Sequence, residues 1–143
     1  MKRLFLLVVS LVVMAQMSMV EARNRVYQGE IGPYKIHMVL DDNYNGYYYY
    51  DKNPKSKFTL RATRNVECSD YDYDYDGIPL DGCFRVTLQE YAPGSGKNSG
   101  EFVGKFGYKM RMGNMSMFYN GTFRNKSNGK TYNFSVGRSE RVN

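Results

Sequence analysis

The chain has 143 residues, of which 42% are hydrophobic, 15% aromatic and 24% charged, with a formal net charge of +6. That length allows one compact domain and leaves no room for two. Its 20 Lys and Arg are spread along the chain without a basic run, which argues against a nucleic-acid-binding arm and leaves a mixed-charge surface.

Lys2 and Arg3 precede an apolar run from Leu4 to Val13, and Val20-Glu21-Ala22 ends in a small residue before Arg23. This is the three-part layout of a cleavable secretory signal over residues 1–22, shorter in its apolar stretch than a membrane span needs. An uncleaved anchor is the alternative. Cleavage predicts a secreted or periplasmic product, residues 23–143, that is not membrane-spanning and carries +5 once Lys2, Arg3 and Glu21 are removed.

Past the leader, Tyr, Phe, Val and Thr are dense and glycine punctuates them, a composition for strands and turns. Strands are expected over Val26–Glu30 and Tyr34–Asp41, where Ile36, Met38 and Leu40 take one face and Lys35, His37 and Val39 the other. His37 is the single histidine, too few for a histidine metal site. After the turn residues Asp42 to Asn45 comes Gly46-Tyr47-Tyr48-Tyr49-Tyr50, in a strand expected to run to Lys52. Alternation sends Tyr47 and Tyr49 to one face and Tyr48 and Tyr50 to the other, so one pair is exposed enough to bind a ligand by stacking. The other reading is core packing and cross-strand contact. Lys57–Thr63 alternates in the same way.

Cys68 and Cys83 are the only cysteines, 15 positions apart, and in an exported chain such a pair predicts a disulfide rather than two free thiols. Between them, Asp72, Asp74, Asp76 and Gly77 match the opening of a calcium loop, so calcium is the candidate cofactor. Counting Asp72 as the first position of the loop, Cys83 stands at the twelfth, where the bidentate Glu belongs; Asp81 or Glu67 would have to close the site, and a solvated acidic loop is the alternative.

Further strands are expected at Cys83–Tyr91, Gly100–Gly107, Ser116–Arg124 and Lys130–Val136. Gly94-Ser95-Gly96-Lys97 lacks the spacing and following helix of a phosphate loop and reads as a hairpin loop. Glu90 and Glu101 form a carboxylate pair of undetermined geometry. Asn114, Asn120, Asn125 and Asn133 open N-x-S/T triplets that matter only in a glycosylating host. Eight short-linked strands predict an all-β antiparallel meander, a small closed or partly open barrel of lipocalin-like or avidin-like architecture, with a two-sheet sandwich as the alternative.

The order Gly29-Glu30-Ile31-Gly32-Pro33-Tyr34, Gly46-Tyr47-Tyr48-Tyr49-Tyr50, Thr87-Leu88-Gln89-Glu90-Tyr91, Ser99-Gly100-Glu101-Phe102-Val103-Gly104 and Tyr119-Asn120-Gly121-Thr122-Phe123 resembles small exported β-rich proteins of unknown function from Bacteroidetes-type bacteria. The resemblance implies an exported β-meander and no catalytic residues. With no catalytic motif in view, the leading expectation is a non-enzymatic exported protein that binds a protein, peptide or glycan partner through its tyrosines and acidic loop. An exported hydrolase and a structural envelope protein are the alternatives.

Overall fold

The computed structural model describes residues 24–68 and 80–141. They form eight strands: β1 (Arg25–Ile31), β2 (Tyr34–Leu40), β3 (Gly46–Tyr50), β4 (Phe58–Glu67), β5 (Gly82–Tyr91), β6 (Asn98–Arg111), β7 (Asn114–Asn125) and β8 (Thr131–Arg141). Every strand pairs antiparallel with the next, and β8 returns to β1. That last pairing decides for a closed barrel over the two-sheet sandwich. Among the described residues no helix is long and apolar enough to cross a membrane.

The period-two pattern of the sequence becomes inside and outside. Ile36, Met38 and Leu40 point in from β2, Val86 and Leu88 from β5, and Phe102 and Phe106 from β6, all buried. An eight-stranded barrel is just wide enough for side chains to fill. Aromatic rings do so here: Phe106 stacks on Tyr119 at 4.1 Å, Phe102 lies 4.6 Å from Phe123, and Tyr119 lies 4.7 Å from Phe134. The Tyr119 hydroxyl, fully buried, donates to the Val86 carbonyl at 2.7 Å, so its polar end is satisfied without water. Outward positions carry Glu30, Lys35, Arg61 and Arg124, all exposed.

Turn chemistry sets the hairpins. Gly32, at φ 53°, opens the two-residue β1–β2 turn before Pro33, the glycine-first pattern of a type II′ turn. The loop through Gly94 and Gly96 closes β5 on β6 as a hairpin, as expected. At the other rim β4, β6, β7 and β8 all run longer than the periodicity alone indicates. A two-residue turn at Met112-Gly113, with φ of 47° and 80°, joins β6 to β7 there, and both positive angles are those of a type I′ turn. Its usual signature is Asn-Gly or Asp-Gly, which is why the sequence pattern does not reveal it.

Cys68 and Cys83 are joined in a disulfide with their Cα atoms 5.4 Å apart. It sits one step beyond the last β4–β5 pair, Glu67↔Phe84, where the Cys68 N–H donates to the Cys83 carbonyl at 3.1 Å. The bridge therefore ties the end of β4 to the start of β5. Closing a loop of 15 residues is worth about 3 kcal/mol in the chain-entropy model, so replacing both cysteines by serine should lower unfolding stability by up to that amount. Urea unfolding of the variant and the wild type checks this, and equal stabilities would contradict it.

Candidate functional site

The four consecutive tyrosines of β3 divide as their strand requires. Tyr48 faces the barrel interior and is completely buried, stacked on Phe58 at 5.0 Å. Tyr50 also faces inward, half-buried at the rim, edge-on to Tyr34 and Phe58. Tyr47 and Tyr49 face out. Of the four candidate ligand residues, the structure thus puts Tyr48 in the core, out of a ligand's reach, and leaves Tyr47 and Tyr49 at the surface.

Register assembles neighbours around that outward pair. His37 lies opposite Tyr49 on β2 and stacks on it at 5.0 Å, while its Nε2 is 2.9 Å from Asp51 Oδ1. The histidine is packed between a ring and a carboxylate. Lys57 places its ammonium 4.9 Å from the Tyr47 ring centroid, and Arg61 its guanidinium 5.9 Å from that of Tyr91, both within cation–π range. Beside Tyr47 a shallow cleft of about 460 Å³ is lined by Val39, Asn45, Thr59 and Arg61 among others. The cleft thus offers a flat ring, an aliphatic floor, a hydroxyl and a cation to one ligand. Asn45 is held in place because its Oδ1 accepts from the Ala62 N–H at 2.9 Å, next to a bulge in β4 between Ala62 and Arg64.

Sequence alternation marks Thr59 and Arg61 as outward and Leu60 as inward. It does not show that they stand beside Tyr47; that needs the β3–β4 register, which pairs Tyr47 with Thr59.

Glu90 and Glu101 do not form a carboxylate pair. Glu90 points into the barrel and is 3% exposed, whereas Glu101 points outward and accepts from Gln89 Nε2 at 2.7 Å. Neighbouring rungs of one sheet have sent them to opposite faces. Inside, the Tyr48 hydroxyl donates a short bond to Glu90 Oε2, and Ser99 Oγ donates to Oε1 at 2.6 Å. Ser99 is the extra residue of a bulge where the β5–β6 register slips between Glu90 and Tyr91, and the bulge turns its hydroxyl onto the acid. Burial raises the Glu90 pKa above the ordinary carboxylate value, and the two donated hydrogen bonds only partly oppose this. Burial and the neighbouring carboxylate keep the Tyr48 hydroxyl protonated.

Asp72, Asp74 and Asp76, the candidate calcium ligands, lie outside the described residues. Among the described residues no cluster of three His, Cys, Asp or Glu is placed to hold a metal ion. Of the four N-x-S/T asparagines, Asn114 is exposed beside the β6–β7 turn, while Asn125 accepts from the Ser127 N–H and Asn120 from the Ser135 hydroxyl. Comparison of the chain with protein-family models, characterised proteins and solved structures finds no match.

Proposed function

We propose that this chain is an exported, non-enzymatic binding protein that holds a protein, peptide or glycan partner against the outer face of β2, β3 and β4. The observation that carries the reading is the outward pair Tyr47 and Tyr49 beside a cleft that also presents Thr59 and Arg61. Tyrosine contributes contact area at low entropic cost and Arg61 a planar five-donor fork, the residue types that dominate binding surfaces. A disulfide fits the oxidising compartment to which the leader directs the chain. A glycosidase-like reading gains nothing from Glu90 and Glu101, since they open onto opposite sides of the sheet.

The test is capture by immobilised residues 23–143 from envelope and medium fractions, in parallel with glycan arrays. Wild type should retain a discrete partner. The Tyr47→Ala/Tyr49→Ala double variant should lose it by about tenfold or more while keeping its melting temperature within a few degrees, because both rings lie outside the core. Equal capture by the double variant would overturn the proposal.

A further inference from the structure

Past the leader, the methionines are concentrated in one hairpin. Met1, Met14, Met17 and Met19 belong to the leader, and of the others only Met38 lies outside the run Met110-Arg111-Met112-Gly113-Asn114-Met115-Ser116-Met117. That run is the end of β6, the two-residue turn and the start of β7. The core uses Met38, with Met117 at its margin, so packing does not account for Met110, Met112 and Met115.

The ladder brings three of these thioethers to one face. Met110 pairs with Met115, and Tyr108 with Met117. The Tyr108 carbonyl accepts from the Asp81 N–H at 2.9 Å and the Met110 N–H donates to Asp81 Oδ2 at 2.6 Å, so both residues turn these backbone groups away from β7. Met110↔Met115 and Tyr108↔Met117 are therefore non-hydrogen-bonded pairs, the closer kind, with Cα atoms about 4.5 Å apart. Met117 stands diagonal to Met110 at roughly 7–8 Å, a gap that side chains with three rotatable bonds close. Met112 sits in the turn just past the pair.

These sulfurs are open to an ion. Met112 is fully exposed, Met110 is 43% exposed, and Met115 and Met117 are half-buried, so a bare ion arrives from solvent and needs no cavity. On β8, Arg138 lies beside Met117 and Glu140 beside Met115, joined to each other at 2.7 Å. Asp81 stands at Met110, while Lys109 and Arg111 alternate to the other face of β6. The fixed charges nearest the sulfurs are thus one cation and two anions, a setting that suits a monovalent cation.

Thioethers are neutral, soft ligands that select Cu(I), whereas carboxylate and carbonyl oxygens suit Mg(II) and Ca(II), and Zn(II) takes Cys, His and carboxylate. Both cysteines are joined in the disulfide and leave no thiolate to compete. We propose that the tip of the β6–β7 hairpin is a site for a soft monovalent metal ion, Cu(I): Met110, Met115 and Met117 hold the ion, and Met112 closes over it from the turn. The site lies apart from the tyrosine face and does not depend on the function proposed above.

The probes are Ag(I), a redox-stable soft ion, in chloride-free buffer, and Cu(I) under anaerobic conditions, each titrated into residues 23–143. Calorimetry, thermal unfolding and NMR of isotope-labelled methionine methyls are the readouts. Both ions should bind with a Kd below about 100 μM and raise the melting temperature. They should move the methyl resonances of Met110, Met115 and Met117 and leave that of Met38 in place. Zn(II) should bind at least about tenfold more weakly. Met110→Leu/Met115→Leu keeps the apolar bulk and removes two sulfurs, so it should fold and weaken Ag(I) about tenfold or more. No Ag(I) binding at about 1 mM, Zn(II) bound as tightly as Ag(I), an affinity unchanged in the double variant, or resonance shifts outside the hairpin methionines would overturn the proposal. If the double variant does not fold, the methyl resonances of the unaltered chain still decide it.

Discussion

Gly121→Ala should cost this protein more than about 3 kcal/mol, a large part of the stability of a domain of this size, and is expected to leave little folded material. Gly121 on β7 pairs directly with Gly104 on β6, and both face the barrel interior. A Cβ at Gly121 would lie 2.0 Å from the Val103 carbonyl oxygen and 2.6 Å from the Gly104 Cα. These are backbone atoms of a paired strand, so no rotamer change relieves the contact. A Cβ at Gly104 would meet the Asn120 carbonyl oxygen at 2.3 Å and the Phe134 ring at 2.9 Å, which identifies the glycine pair as the place where the two strands coil tightly under the aromatic core. Gly137 is the control: a Cβ there meets only the Met117 carbonyl oxygen, at 3.3 Å, and Gly137→Ala should change stability by less than about 1 kcal/mol. Urea unfolding of the two variants measures the contrast; a Gly121→Ala protein as stable as Gly137→Ala would show that the strands relax where the close packing says they cannot.

Removing the charge of Glu90 should change how the fold responds to pH. Burial raises the Glu90 pKa above its ordinary value of 4.5, so between that value and the raised one the native state holds a proton that the unfolded chain has released. The stability contributed by this group is complete below about pH 4.5 and is lost as pH rises through the folded-state pKa. Glu90→Gln keeps an acceptor for Tyr48 or Ser99 and cannot ionise, so its stability relative to wild type should grow from pH 4 towards neutrality. Tyr48→Phe acts in the other direction: with one of its two hydroxyl donors gone, the buried carboxylate should cost the fold about 1–3 kcal/mol more at neutral pH. Denaturant unfolding of the three proteins across that pH range tests both statements. Parallel curves for wild type and Glu90→Gln would show that the acid does not titrate differently in the native state.

These two expectations draw on features of unequal visibility. Inward glycines among Phe102, Val103 and Phe106 are legible as points of strong curvature, because a strand has few other uses for a residue without a side chain. That Gly104 meets Gly121 is not, since register is a property of two strands. Glu90 sits in an alternating stretch whose even positions are inward, yet a glutamate there gives no hint that Tyr48, 42 positions away, and a bulged Ser99 supply its donors. Arg138 lies beyond the span that periodicity marks as strand, and its position over the Tyr27 ring needs the closure of β8 on β1.

What the sequence by itself determined is the alternation: eight period-two segments separated by Gly, Asn and Pro turns, hence an antiparallel all-β meander, and two cysteines placed to bridge the one long connection. Local rules suffice for this, because side-chain period and turn chemistry are written in neighbouring residues. Only the tertiary structure decided which face of β3 became the interior. In β3 both faces carry tyrosine, so hydrophobicity could not choose; closure of the barrel did, committing Tyr48 to Glu90 and leaving Tyr47 and Tyr49 half-buried on the outer face. The same closure set how far β8 and β1 share a ladder, from Gln28↔Gly137 to Ile31↔Phe134, since that register is a property of the two ends of the chain brought together.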